Sequence, residues 1–528
     1  MQPIKDKFAS IRHITLLRPP IISSLFSYSA PISPPLALAY LASSLIKAGY
    51  EVTAIDALGE AIEKVIIYDD PRCRVRGLTI NEMIERIPPH TQLIGLSCMF
   101  SQDWLFVRKI AEKIKAVFPQ VPIILGGEHA TAMPDTILET SSAIEMCIQG
   151  EGEETILDIA KFYPNDLEKI NGIVYRRKCG QLCRTPKRVR IRTVQDIPRP
   201  AWHLLPIENY LTGGYSNHVN SGRSMPILAT RGCPYKCTFC SNPNMWGQLY
   251  YTRPPSDVVD EIEEYVKTYR VDNIDFYDLT AIVKKSWIME FGNILKERKI
   301  NITWALPSGT RSEALDADVT KLLRETGCQY IAYAAESGSP RILKYIKKEV
   351  KLDRMLVSMR AAKKNGLHLR CNLILGFPEE RRSDVYKTIW FMMKLVYYGI
   401  DDAPLFMYSP YPGTEMYDYL RQTGKIGKAD DDYFRTLMCF MDLTNSSSYC
   451  ENIGPKELAF YRLVGMSTFY ALSYLLYPMR IFRSLQNIFF TKRTVTLFEQ
   501  RIVEIINTRR QIKKTSEEDR SLALKYEL

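Results

Sequence analysis

Ala229-Thr-Arg-Gly-Cys233-Pro-Tyr-Lys-Cys237-Thr-Phe-Cys240-Ser-Asn242 sets three cysteines in a C-x3-C-x2-C spacing at the end of an apolar run. Thiolates this close in sequence can face one centre only from a tight loop, and soft sulfur ligands select zinc, copper(I) or iron–sulfur. A structural zinc site needs four closed ligands, yet the next cysteine is Cys328 and the nearest histidine His218. A cube of iron and sulfur held by three cysteines keeps one iron open for a cofactor or substrate. The competing reading is an incidental thiol cluster or a partial zinc site.

Downstream of this loop, strand-like and helix-like segments alternate six times to about residue 425, with strands expected at 227–230, 273–277, 302–305, 330–335, 369–375 and 403–408. Six such units predict an open, partial (β/α)6 TIM-type barrel, in which chemistry gathers at the carboxyl ends of the strands. Polar residues fall there: Asp275-Phe-Tyr-Asp278, Arg311, Glu336-Ser337-Gly338, Gly376-Phe-Pro-Glu379 and Ser409-Pro-Tyr-Pro-Gly413. Cys328 and Cys371 read as buried structural thiols.

Upstream, residues 12–160 also alternate, with strands expected at 14–17, 51–55, 93–97, 122–125 and 144–148. That pattern predicts an α/β, Rossmann-like, doubly wound parallel sheet, whose ligands bind at the strand ends. Those ends are Arg18-Pro-Pro20, Ser97-Cys-Met-Phe-Ser101, Gly126-Gly127-Glu-His129 and Gly150-Glu-Gly-Glu153. Gly126-Gly127 would let backbone approach a bulky ligand, whereas His129 reads as a surface or packing residue. Residues 161–225 carry cations without interleaved aromatics, which favours a solvated hairpin and linker over a nucleic-acid patch.

With 528 residues, 46% of them hydrophobic, the chain has material for packed cores and roughly three domains. The expected division is 1–195, 196–425 and a helical, basic 426–528. A net charge of +11 suggests an anionic partner. Twelve cysteines without disulfide spacing fit a reducing cytosol. The start lacks the apolar core of a signal peptide, and no apolar run reaches the roughly 18 residues of a spanning helix. Residues 458–498 contain no Asp or Glu but carry Arg462, Arg480, Arg483, Lys492 and Arg493 among apolar residues at helical spacing. Such a segment reads as lying in a membrane interface or as packing on the barrel.

The C-x3-C-x-Phe239-C pattern resembles the signature of the radical SAM enzymes, whose open iron chelates S-adenosylmethionine. The likeness implies Cys233, Cys237 and Cys240 as ligands of a [4Fe-4S] cluster, with S-adenosyl-L-methionine (SAM) as cofactor and Phe239 completing the motif. It also implies that the Asp278 motif borders the methionine amine, that Glu336 and Ser337 contact ribose or amine, and that Gly376 admits adenine. Arg311 would clamp a carboxylate or the substrate.

The first domain, with Ser97, Gly126 and Gly127, resembles the cobalamin-binding domain found ahead of some radical SAM domains. The usual Asp-x-His-x-x-Gly loop is replaced here by Arg18-Pro19-Pro20, so no lower axial histidine is expected. Cys240-Ser-Asn-Pro-Asn-Met-Trp246, Asp275 through Lys284 and the helical tail look most like the hopanoid C-3 methylases. A tRNA methylthiolating enzyme would show a second cysteine set, but Cys73, Cys98 and Cys147 are far apart.

The resemblances together imply a cobalamin-dependent radical SAM methyltransferase acting on an unactivated carbon of a membrane lipid, narrowed to a hopanoid at C-3. The alternative is the same cofactors on another substrate, as in tetrapyrrole cyclases. The implied partners are a hydrophobic substrate and a flavodoxin- or ferredoxin-type electron donor, with no nucleic acid. The implied location is the cytoplasm, peripheral at the inner face of the membrane.

Overall fold

The computed structural model describes residues 11–514 apart from 25–31, 70–71, 178, 217–221, 439–441, 443–446 and 492–493. Five strands, β1 His13–Arg18, β2 Glu51–Asp56, β3 Leu93–Ser97, β4 Ile123–Gly126 and β5 Met146–Ile148, pair in parallel with β1 between β2 and β3. They match the five expected strands because apolar residues on both faces leave near-continuous hydrophobic runs. Ile14 and Leu16 bury with the helices Leu36–Lys47 and Glu153–Phe162, while Leu17 and Leu96 bury with the helix Trp104–Val117.

The sheet is mixed rather than wholly parallel. The connector returns as β6 Ile173–Arg176, antiparallel to β5, and β7 Leu182–Arg184, antiparallel to β6. A short turn between β6 and β7 can make only a hairpin, since a parallel neighbour needs a crossover of about a dozen residues or more. Several of the connector's cations are spent internally: Arg188 bonds Thr155 at 2.9 Å, and Arg190 caps Trp246 O at 2.7 Å and Leu249 O at 2.9 Å. A small antiparallel sheet, Ile21–Ser23, Val65–Asp69 and Arg72–Arg76, adds to the expected elements.

The second sheet has six parallel strands in chain order: β8 Ser224–Ile227, β9 Asn273–Phe276, β10 Thr303–Thr310, β11 Cys328–Glu336, β12 His368–Leu375 and β13 Leu405–Met407. One face is apolar, with Phe276, Phe291 and Trp304 meeting edge to face at 5.5 Å. Alternate residues on the other face are small or polar, among them Ala305, Ala332, Arg370 and Asn372. Cys328 and Cys371 are buried thiols, as expected.

The strand-end loops of the two sheets meet. Thr131 donates to Met245 Sδ at 3.3 Å, Tyr411 donates to Gln102 at 2.5 Å, and Arg108 pairs with Asp431 at 2.7 Å. The tail is helical as expected: Pro455–Leu476, Met479–Gln486 and Leu497–Lys514. Gly465 lets the first of these close onto the sheet, since a Cβ there would lie 3.1 Å from Leu405. No helix among the described residues is long and apolar enough to cross a membrane.

Candidate active site between the two sheets

The cysteine loop is anchored at both ends. At its entry Asp278 accepts from the Ala229 amide at 3.1 Å and from the Thr230 hydroxyl at 2.5 Å. Burial pushes the Asp278 carboxyl up to about 6 against those hydrogen bonds. Arg231 is buried between two carboxylates of the first domain, Glu151 at 3.1 Å and Glu153 at 2.5 Å. A buried cation with two partners fixes geometry, because losing either side strands a charge. At the far side the Thr238 amide donates to Ile346 O at 3.1 Å, and Asn242 donates to Cys233 O at 3.3 Å.

Cys233, Cys237 and Cys240 are each partly exposed. Burial pushes all three thiols up, Cys240 to about 12. A bound metal's own charge, more than the protein, would therefore hold them as thiolates. Phe239 lies edge-on to Phe377 with centroids 5.7 Å apart.

Glu336 ends β11 in the left-handed region, φ 64°. For a non-glycine residue that conformation costs roughly 1–2 kcal/mol. Lys348, half-buried, holds the carboxylate at 2.9 Å. Ser337 is fully buried and turned inward, 3.2 Å from the Thr388 hydroxyl and accepting from the Ser339 amide at 3.1 Å. The Arg311 fork is occupied by Glu313 at 3.0 Å and by Glu349 O, and its guanidinium lies 3.7 Å over Tyr235. Gly376 has φ 90° and donates to Glu380 at 2.5 Å, so a side chain there would strain the turn.

Across the crevice, Ser97 and Gly126 are register partners at the ends of β3 and β4. Gly127 has φ 111°, and a Cβ on it would lie 2.5 Å from Cys98 O, whereas a Cβ on Gly126 would meet open space. Met99 and Phe100 stay exposed on the adjoining loop. His129 is buried, not superficial; it bonds Ser101 at 2.9 Å and packs against Phe434, and burial lowers it to about 3. Arg18 turns into the fold, donating to Ser33 O at 2.8 Å and to Tyr210 at 2.9 Å.

Residues 227–392 match the radical SAM superfamily and residues 24–160 match the B12 binding domain. The chain is 30% identical over 413 residues to an uncharacterized methyltransferase of Pyrococcus horikoshii, spanning 78% of this chain and 83% of that protein. It belongs to the cobalamin-dependent radical SAM methyltransferase family. In this family a cytidylyl-2-hydroxyethylphosphonate methyltransferase of Streptomyces wedmorensis is 27% identical over 460 residues, 81% of this chain and 84% of its own. The fold is shared with the radical SAM methyltransferase TsrM of Kitasatospora setae, solved with tryptophan and a SAM analog. That likeness has a TM-score of 0.59 over 78% of this chain and 76% of the other, at 19% identity.

A radical SAM methyltransferase of this kind uses a [4Fe-4S] cluster, SAM and cobalamin, and its residues fit all three. The donor set is three soft thiolates. Buried polar atoms without a partner, Thr280 Oγ1, Asn372 Oδ1 and Ser409 Oγ, line the second sheet. At the crevice, Glu128 Oε1 and His129 Nε2 are likewise buried and unpartnered. Sequence reading named the cysteines but missed Arg231, Lys348 and Glu128. The local signals were an arginine two residues before Cys233, a lysine in the basic run 344–351, and a glutamate after the glycine pair.

Proposed function

We propose that this methyltransferase acts on an unactivated carbon of a membrane lipid, with ring C-3 of a hopanoid as the narrowest candidate. The supporting observation is an inverted amphipathic segment in the tail. In the helix Met479–Gln486 the polar residues Arg480 and Ser484 face the protein. Arg480 donates to Gly399 O at 2.6 Å and Ile400 O at 3.0 Å, and Ser484 donates to Glu499 at 2.5 Å. Its apolar residues face out: Met479 is 74% exposed, Phe482 65%, and just beyond it Phe489 62% and Phe490 82%. Leu475, Leu463 and Phe460 extend this surface along the preceding helix. An apolar face of this extent, turned away from the core, marks an interaction surface, and at the end of an otherwise packed helical layer it suits a lipid interface.

Of the five cations that suggested an interface, the three described ones turn toward the protein. Arg462 and Arg480 are buried, Arg462 on Asp442 O and Arg480 beside Asp401, and Arg483 leans toward Asp401 at 3.6 Å. Lys492 and Arg493 lie outside the described residues. Insertion would come from the phenylalanines.

When bound, the cofactors supply a carbon-centred radical and a methyl donor, so no acidic substrate C–H and no general base are needed. This chain's own part is positional. Asp278 and Arg231 fix the cysteine loop, Glu336 and Lys348 border it, and the loops of β3 and β4 form the opposite wall. We take the second sheet as an open (β/α)6 barrel and keep 1–195, 196–425 and 426–528 as working units.

Flotation with phosphatidylcholine–phosphatidylglycerol liposomes tests the substrate class. Wild type is expected to float, and Phe482→Ser/Phe489→Ser/Phe490→Ser to remain below, with partition lowered at least roughly a hundredfold at ~1.5–3 kcal/mol per buried side chain. A wild-type protein that ignores liposomes would move a water-soluble substrate such as a tetrapyrrole ahead of the lipid.

A further inference from the structure

On the outer wall of the second sheet lies a groove of about 1000 Å³, between the helices Pro340–Tyr345, Leu352–Lys364 and Arg382–Tyr397. Lys344, Lys351, Arg354, Lys387 and Lys394 line it. All five are exposed, and among the described residues none has a carboxylate within ion-pair reach. Lys347 and Lys348 also line the groove but are engaged, by Glu415 at 2.7 Å and Glu336 at 2.9 Å. Of the three acidic residues in the lining, Glu313 is held by Arg311 at 3.0 Å, which leaves Glu349 and Asp353. Trp390, 64% exposed, stands on the helix face between Lys387 and Lys394.

The groove backs directly onto the cysteine loop. Ile346, buried one residue before the groove-lining Lys347, accepts from the Thr238 amide at 3.1 Å, and Thr238 lies between Cys237 and Cys240. Lys348 reaches from the groove to Glu336 at the end of β11. A partner seated here would be separated from the three cysteines by a single layer of chain.

We infer that this groove docks a small, acidic one-electron carrier protein, so that the electron required by the cysteine-loop site enters from the outer wall and not through the substrate crevice. The inference rests on the family's cluster chemistry and is independent of the lipid reading. The step is simple in balance: the carrier is oxidised by one electron, the cysteine-loop site is reduced by one, and no bond or proton moves. Charge complementarity selects the partner. A bilayer is flat and would not fill a concave channel, and a nucleic acid would want several exposed stacking aromatics, whereas of the two lining aromatics Trp390 is exposed and Phe391 is buried.

The test measures binding of oxidised flavodoxin and, separately, oxidised bacterial ferredoxin to the full-length protein by interferometry across a salt series. At least one carrier is expected to bind at low salt and to weaken as salt rises. Lys344→Glu/Arg354→Glu/Lys387→Glu should weaken that carrier at least roughly tenfold, while Lys344→Arg/Lys387→Arg keeps it and both variants melt like wild type. No binding of either carrier at low salt, or equal affinity of a correctly folded reversal variant, overturns the proposal. So does a reversal that releases anionic vesicles but leaves carrier affinity untouched, because the groove is then a membrane contact.

Discussion

Burial alone pushes the Glu128 carboxyl from the ordinary 4.5 up to about 7, so the group is still partly protonated at neutral pH. The folded chain therefore binds a proton that the unfolded chain has already released between those two values, and stability must fall as pH rises through that window. The full penalty, present above about pH 8, is at most ~3 kcal/mol. Glu128→Gln should flatten this dependence in the apoprotein, so that urea midpoints of variant and wild type converge near pH 4 and separate in the variant's favour by pH 8. A wild type that gains on the variant as pH rises would show that Glu128 has a cationic partner. The cysteine loop was legible because its spacing is a local pattern. Arg231 was not, since its partner Glu151 is 80 positions away and only the meeting of two domains makes the pair.

The loop after β4 divides its work between two glycines, and substitution should separate them. In Gly127→Ala a Cβ would meet Cys98 O at 2.5 Å from a backbone at φ 111°, so roughly 1–3 kcal/mol of stability should go, together with cobalamin retention. Gly126→Ala meets open space and should stay within about 0.5 kcal/mol of wild type in urea unfolding; equal losses for the two would refute the distinction. Because β1 ends in Arg18 and that side chain is bonded into the fold, spin-resonance spectra of bound cob(II)alamin should lack nitrogen splitting from that loop. The parallel strands were readable as apolar runs bounded by turns. The small sheet was readable too, from the alternation of Arg72, Arg74 and Arg76 with Cys73 and Val75, and was overlooked. The orientation of Met479–Gln486 was not readable: helical spacing reports that one face is apolar, not which side the protein occupies, and only capture of Arg480 by the 399–401 turn decides it.

In the assembled molecule two sheets built from successive stretches of the sequence bring their strand-end loops together, one presenting three thiols and the other a glycine-floored crevice. The tail adds an outward apolar face, and the groove behind the cysteine loop adds a cationic one, so substrate and electron would reach the centre from different sides. Alternation of strands and helices made both sheets legible; their juxtaposition was not, because it rests on contacts such as Arg108 with Asp431 and Tyr411 with Gln102 that no local pattern encodes. Metal analysis of anaerobically purified protein, wild type beside Cys233→Ala/Cys237→Ala/Cys240→Ala, bears on the whole arrangement. Wild type should hold roughly four iron atoms with near-stoichiometric cobalamin, and the triple variant should lose the iron yet keep the cobalamin, since the two sites belong to different sheets. Zinc in place of iron, or a wild type that takes up no cobalamin, would contradict it.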